Sequence, residues 1–254
     1  MSTPNNFLWY ELMTSDTAAA GDFYSHVVGW NTGDGSTPRN PYTLFRIGDQ
    51  GVGGMMELPK EACDQGAEPG WIGYIAVGDV DAEAKRVVAA GGSVLRDPDD
   101  VPGMLRFAVV ADPHGTPFVI FRGFGGEMPQ FPSGTPRTVG WHELNGGDVG
   151  SAFAFYSSLF GWTKDQAMDM GEGEVYQLFA AGSEPVGAMM KRRNGAGPHW
   201  TFYFCVDDID YAIARIGTKG GEVVDGPHQV PGDAWIIHAL DPQGASFALV
   251  GPRS

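Results

Sequence analysis

Residues 7–13, Phe-Leu-Trp-Tyr-Glu-Leu-Met, alternate side chains with the period of two expected of a strand. Ser15 and Asp16 then offer a helix cap, Ala20, Phe23, Tyr24 and Val27 recur at helical spacing, and Gly29 supplies a stop. Residues 42–47 and 51–57 are strand-like around a Gly-Asp-Gln-Gly turn and predict a hairpin. A strand over 71–77, a helix near 80–90 ended by Gly91 and Gly92, and strands at about 104–111 and 116–122 follow. Between the last two, Asp112-Pro113-His114-Gly115 places proline second and glycine fourth, as a type I turn prefers. The order is β-α-β-β twice, with room for one short extra strand in each unit.

The whole pattern then repeats. Residues 9–30 match 141–162 at a constant offset of 132, carrying Trp9 onto Trp141, Glu11 onto Glu143, Asp16 onto Asp148, Tyr24 onto Tyr156 and Trp30 onto Trp162. YTLF at 42–45 matches YQLF at 176–179, and GGMM at 53–56 matches GAMM at 187–190. Trp71, Tyr74 and Asp79 match Trp200, Tyr203 and Asp208, while DPHGTPF at 112–118 matches DPQGASF at 241–247. Internal repetition over this length predicts an α+β chain of four tandem βαβββ units. Two domains are expected, over 1–122 and 138–254, joined by the Gly/Pro-rich connector 123–137.

Composition narrows the partners. Of 254 residues, 43% are hydrophobic and 19% charged, ample for packed cores. A net charge of −15 opposes phosphate backbones and anionic lipid heads, so neither nucleic acid nor membrane is expected as a partner. Two cysteines, Cys63 and Cys205, are too few for a disulfide framework. No apolar run approaches the roughly 20 residues of a membrane helix, and the first residues lack a basic segment before an apolar one, so a cytoplasmic protein is expected.

The motif D-x-x-x-A-x-x-FY-x-x-x-x-GW at Asp16–Trp30 and Asp148–Trp162, the helix starts VGDVD and VDDID, and the late DP-x-G turns resemble the vicinal oxygen chelate superfamily of glyoxalases, bleomycin-resistance proteins and extradiol dioxygenases. Within it the chain is similar to the double-copy actinobacterial culture-filtrate antigen group, labelled as glyoxalases or hydroxylases. The resemblance implies two glyoxalase-like domains, each a U-shaped mixed sheet with helices outside and a small-molecule cleft within. It also implies where metal ligands would stand: on the first strand of each unit, at Trp9, Ile72, Trp141 and Thr201, and as a glutamate after each DP-x-G, at about Val119 and Ala248. None of these is an imidazole or carboxylate, so the family-type divalent site is expected to be lost and the cofactor stays unassigned.

Side chains two apart on a strand share a face. Glu11 and Glu143 therefore join Trp9 and Trp141 on the expected cleft face, where each reads either as a general base or as a structural carboxylate held across the sheet. Trp9, Tyr74, Trp141 and Tyr203 share that parity and suit a planar or hydrophobic ligand. His199 and His238 lie on or beside strands of the second copy and could reach its cleft, although no spacing motif separates them from structural histidines. His142 should face away from Glu143. Three functions follow: a glyoxalase-like enzyme acting on a small α-oxo aldehyde with Glu11 or Glu143 moving the proton, a non-catalytic binder of an aromatic metabolite or antibiotic, and a dioxygenase or hydroxylase. The expected assembly is a pseudo-dimeric monomer or a homodimer.

Overall fold

The computed structural model describes residues 5–38, 40–64, 66–125, 128, 131–192 and 197–254. In the first copy β1 (Phe7–Thr14), α1 (Thr17–Val27), β2 (Asn31–Asp34), β3 (Thr43–Ile47) and β4 (Gln50–Glu57) make one βαβββ unit. After a short helix, α2 (Lys60–Asp64), the second unit is β5 (Gly70–Ala76), α3 (Val80–Ala89), β6 (Ser93–Val101), β7 (Leu105–Ala111) and β8 (Pro117–Gly123). The second copy repeats this with β9 (Val139–Gly146), α4 (Val149–Phe160), β10 (Thr163–Asp169), β11 (Val175–Ala180) and β12 (Pro185–Lys191). Its last unit is β13 (His199–Cys205), α5 (Ile209–Thr218), β14 (Glu222–Val230), β15 (Ala234–Leu240) and β16 (Ser246–Gly251).

Each long helix begins on an aspartate whose carboxylate accepts a first-turn backbone N–H: Asp16 from Ala19, Asp79 from Ala82, Asp148 from Ser151 and Asp208 from Tyr211. This is why that residue recurs in all four units. The strands form two eight-stranded mixed sheets, ordered β2-β3-β4-β1-β5-β8-β7-β6 and β10-β11-β12-β9-β13-β16-β15-β14. The extra strand of each unit is thus β2, β6, β10 or β14, and all four are sheet edges. Edge strands tolerate charge, proline and irregular register. β6 reads SVLRDPDDV and slips register twice against β7, as β14 does against β15, which explains why neither shows a period of two. No helix among the described residues is long and apolar enough to cross a membrane.

By contact the chain divides into two compact bodies, each built from both sequence copies. Body 1 takes the chain up to Trp9, Ile72–Met128 and His142–Trp200; body 2 takes Tyr10–Trp71, Pro129–Trp141 and Thr201–Ser254. In body 2, α1 packs on α5, and Tyr24, Trp30, Phe45, Trp71 and Phe204 form one ring cluster, with Phe247 against Tyr24. Body 1 repeats the arrangement with the equivalent residues: α3 meets α4, while Tyr156, Trp162, Phe179 and Trp200 cluster with Phe118 beside them. Buried indole N–H groups need acceptors. Trp30 Nε1 finds the carbonyl of Arg137 and Trp162 Nε1 that of Asn5, both at 2.7 Å, on residues that themselves differ by the repeat offset.

Candidate functional site

In body 1, α3 packs against β6, β7 and β8, and Phe118 of β8 meets rings of α4. The opposite face of these strands is apolar. Tyr74, Ala76, Val119 and Phe121 are buried there, bordered by partly exposed Leu8, Trp9, Ile72, Leu105, Phe107 and Val109. Hydrogen-bond register aligns Tyr74 with Val119, Val119 with Val109, and Val109 with Arg96. The row ends at the edge strand, where the Arg96 guanidinium lies 4.7 Å from the Phe107 ring centre and pairs with Asp99.

The same row in the second copy, all within body 2, has different chemistry. Tyr203 aligns with Ala248, Ala248 with His238, and His238 with Asp225. Across the small Ala248 side chain the Tyr203 hydroxyl meets His238 Nε2 at 2.9 Å, the rings edge-to-face. His238 Nδ1 stands 3.6 Å from an Asp225 oxygen, and the other oxygen of Asp225 lies 2.9 Å from His228 Nε2. Exposure rises along the row, from 2% at Tyr203 to 26% at the His238 side chain and 57% at that of Asp225. The bond from His228 is the main reason the Asp225 carboxyl is held below the ordinary carboxylate range.

Glu143 is buried in β9, and both its oxygens accept hydrogen bonds, Oε1 from Asn145 at 3.0 Å and Oε2 from Tyr176 at 2.9 Å. Glu11 is equally buried in β1 and aligned with Gly54, over which the Tyr42 ring lies. His142, on the opposite face from Glu143, stacks on Phe7 with Nδ1 at 2.7 Å from the Val186 carbonyl. Burial pushes its imidazole down to about 4. Trp141 is half-buried at the start of β9. His199 opens β13 with Nδ1 at 2.9 Å from Gly197 O, a local bond in body 1. Of the residues singled out from the sequence, Tyr203 and His238 are thus in direct contact, and Trp9 and Tyr74 share one cluster.

Sequence reasoning missed Tyr176, Asn145 and Asp225. Tyr176 had a signal, since it is the repeat partner of Tyr42. Asp225 had none, because it reaches His238 from an edge strand of broken register. The metal-ligand positions implied for the family bring Trp9, Ile72 and Val119 into the apolar face of the first copy, while the second offers Trp141, Thr201 and Ala248. A single hydroxyl among six positions does not meet the donor needs of a divalent ion. Among the described residues, no three His, Cys, Asp or Glu side chains are grouped to hold one.

Comparison with known proteins gives two family matches, one to a "Glyoxalase-like domain" over residues 10–121 and one to the "Glyoxalase/Bleomycin resistance protein/Dioxygenase superfamily" over residues 138–249. The "Putative glyoxylase CFP32" of Mycobacterium tuberculosis is 32% identical, over 98% of this chain and 95% of that protein. The "Anthracycline biosynthesis protein DnrV" of Streptomyces peucetius is 33% identical, over 96% of this chain and 92% of its own length. Among solved structures, the Mn(II)-bound glyoxalase of Novosphingobium aromaticivorans superimposes with TM-score 0.68 at 18% identity, over all of this chain and 84% of the other. The 2,3-dioxygenase LapB of Pseudomonas sp. KL28 gives TM-score 0.68 at 14% identity, over all of this chain and 94% of the other.

Proposed function

Since the chain belongs to the glyoxalase/bleomycin resistance protein/dioxygenase superfamily, we propose that it binds a planar, largely apolar small molecule, with no metal held at the positions the family uses. The observation carrying this reading is the apolar face of the first copy, where Trp9, Ile72 and Val119 occupy the implied ligand positions and pack with Tyr74 and Phe121. Rings beside aliphatic walls favour flat apolar ligands, at about 25 cal/mol for each Å² removed from water. The anthracycline name of one relative points to the same class, fused aromatic rings.

The test is a titration with 1,4-dihydroxyanthraquinone, followed by tryptophan fluorescence and equilibrium dialysis. Saturable binding is expected, weakened about tenfold by Trp9→Ala or Phe107→Ala, the loss of roughly 1.4 kcal/mol of ring contact. Absence of binding, or affinity indifferent to both substitutions, would remove this reading.

A glyoxalase-like proton transfer is the second reading, favoured by the burial of Glu143 and its two neutral donors. Glu143 would take a proton beside a carbonyl, with Tyr176 and Asn145 fixing its orientation. Methylglyoxal consumption, with and without a small thiol, should fall at least a hundredfold in Glu143→Gln. Equal rates in the two proteins would exclude Glu143.

A further inference from the structure

The two copies present the same four-residue row with opposed chemistry: Tyr74, Val119, Val109 and Arg96 against Tyr203, Ala248, His238 and Asp225. We propose that the second copy carries an acid–base site in which His238 exchanges a proton, through Nδ1, with an acidic hydroxyl or a carbonyl oxygen of a bound aromatic ligand. The first copy has Val109 in the histidine's place and so lacks this base.

The geometry divides the two ring nitrogens. Nε2 is anchored on the Tyr203 hydroxyl at 2.9 Å, and a hydroxyl can donate or accept, so it supports either tautomer of a neutral imidazole. Nδ1 has Asp225 at 3.6 Å, beyond hydrogen-bond length but close enough to stabilise an imidazolium. The side chain is 26% exposed, whereas Tyr203 beneath it is 2% exposed, so the accessible reactive atom belongs to the histidine. In the forward direction the ligand O–H bond breaks, its proton moves to Nδ1, and the ligand keeps the electron pair as an oxyanion. The imidazolium then donates through Nε2 to Tyr203 and lies beside the Asp225 carboxylate. Tyr203 and Asp225 are positioning residues, the arrangement by which an oriented imidazole serves as base elsewhere. Ala248 is part of the device: the larger Val119 side chain fills the corresponding place in the first copy.

The site rests on the binding reading above, carried from the first copy's face to the equivalent face of the second, and the test is run in a Trp9→Ala background so that dye held on the first copy does not enter the readout. 1,4-Dihydroxyanthraquinone changes colour when a phenol ionises, so the visible spectrum at saturating protein reports proton transfer independently of affinity. At one fixed pH the bound dye should show at least a threefold larger anionic share than the free dye. His238→Gln should return it to the free value, while Tyr203→Phe and Ala248→Val should lower it at least twofold. All three should keep the dissociation constant within about fivefold. A bound dye as neutral as the free one, or an anionic share unmoved by His238→Gln, overturns the proposal. If the dye does not bind at all, the binding reading fails on its own. The acid–base site is then decided by nitrogen-15 shifts of His238 in wild type and Tyr203→Phe: a ring whose Nε2 resonance ignores the phenol overturns it, and one that follows the phenol upholds the anchoring.

Discussion

Tyr24 of α1 donates its hydroxyl proton to Asp241 Oδ2 at 3.2 Å while accepting from Trp71 Nε1 at 2.9 Å, tying a helix of the first copy to a turn of the second inside body 2. Tyr156 does the same with Asp112 and Trp200 in body 1, at 3.3 and 3.1 Å. The aspartate is the first residue of each DP-x-G turn, and its other oxygen accepts two backbone N–H groups, those of Gln243 and Ala245 or of His114 and Thr116. Each phenol therefore closes a chain of groups that are buried, save the half-buried Trp71, and deleting it takes a partner from two of them. Tyr24→Phe and Tyr156→Phe should each destabilise by about 1–3 kcal/mol. Urea denaturation would show this, and a loss under 0.5 kcal/mol would mean that water replaces the hydroxyl freely.

Acid should weaken the protein through His142. Its folded imidazole lies near 4, below the ordinary 6.5, because burial against Phe7 disfavours the charged ring. A depressed value contributes stability that is complete above the unfolded pKa and is lost as pH falls toward the folded one. Between about 6.5 and 4 the unfolded chain takes up a proton that the folded chain refuses. At 1.36 kcal/mol per unit, this group alone removes on the order of 3 kcal/mol over that interval. His142→Asn can keep a donor to Val186 without titrating. Unfolding midpoints measured at pH 7, 6, 5 and 4.5 should fall less steeply in the variant, and parallel curves would exclude His142 as a cause.

Gly187 aligns with His142 across the parallel β9–β12 pair, and a Cβ there would collide with the His142 carbonyl and sit 2.7 Å from the Phe179 ring. Gly53 meets the same obstacle in the first copy, its Cβ position being 2.8 Å from the Tyr10 carbonyl. Backbone cannot retreat as a flexible side chain can. Gly187→Ala and Gly53→Ala should each cost at least about 2 kcal/mol, whereas Gly48→Ala, whose Cβ meets nothing within 4 Å, should cost only the strain of its positive φ of 58°. Thermal denaturation would rank the three, and equal losses would refute the steric account.

Much of the fold is legible because repetition marks it. Asp16, Asp79, Asp148 and Asp208 stand where caps are needed, and the strands with clear alternation fall where the alternation puts them. The edge strands β6 and β14 are not legible, since solvent on one side and slipped register on the other erase any period. Nor does the sequence reveal that Tyr24 answers to Asp241 rather than to Asp112: local pattern says nothing about which copy supplies the partner, and the compact bodies mix halves. At the candidate site, face parity names Tyr203 and strand position names His238, but neither shows that the two touch, and both miss Asp225, a residue without periodic context. It names Glu143 but not the Tyr176 hydroxyl that orients it.

That last pair makes the decisive functional variant interpretable. Glu143 accepts from Asn145 on one oxygen and from Tyr176 on the other. In Glu143→Gln the amide oxygen can keep the Asn145 bond while the new N–H₂ turns toward Tyr176, whose hydroxyl rotates from donor to acceptor. Neither group is stranded, so the change in stability should stay within about 1 kcal/mol. Glu143→Ala, by contrast, opens a cavity at a buried position and leaves two half-buried donors without their acceptor, a loss of about 2–4 kcal/mol. Paired urea titrations of the two variants test the difference. If Gln proves as damaging as Ala, the carboxylate is needed for the fold itself, and a loss of activity in Glu143→Gln could no longer be assigned to proton transfer.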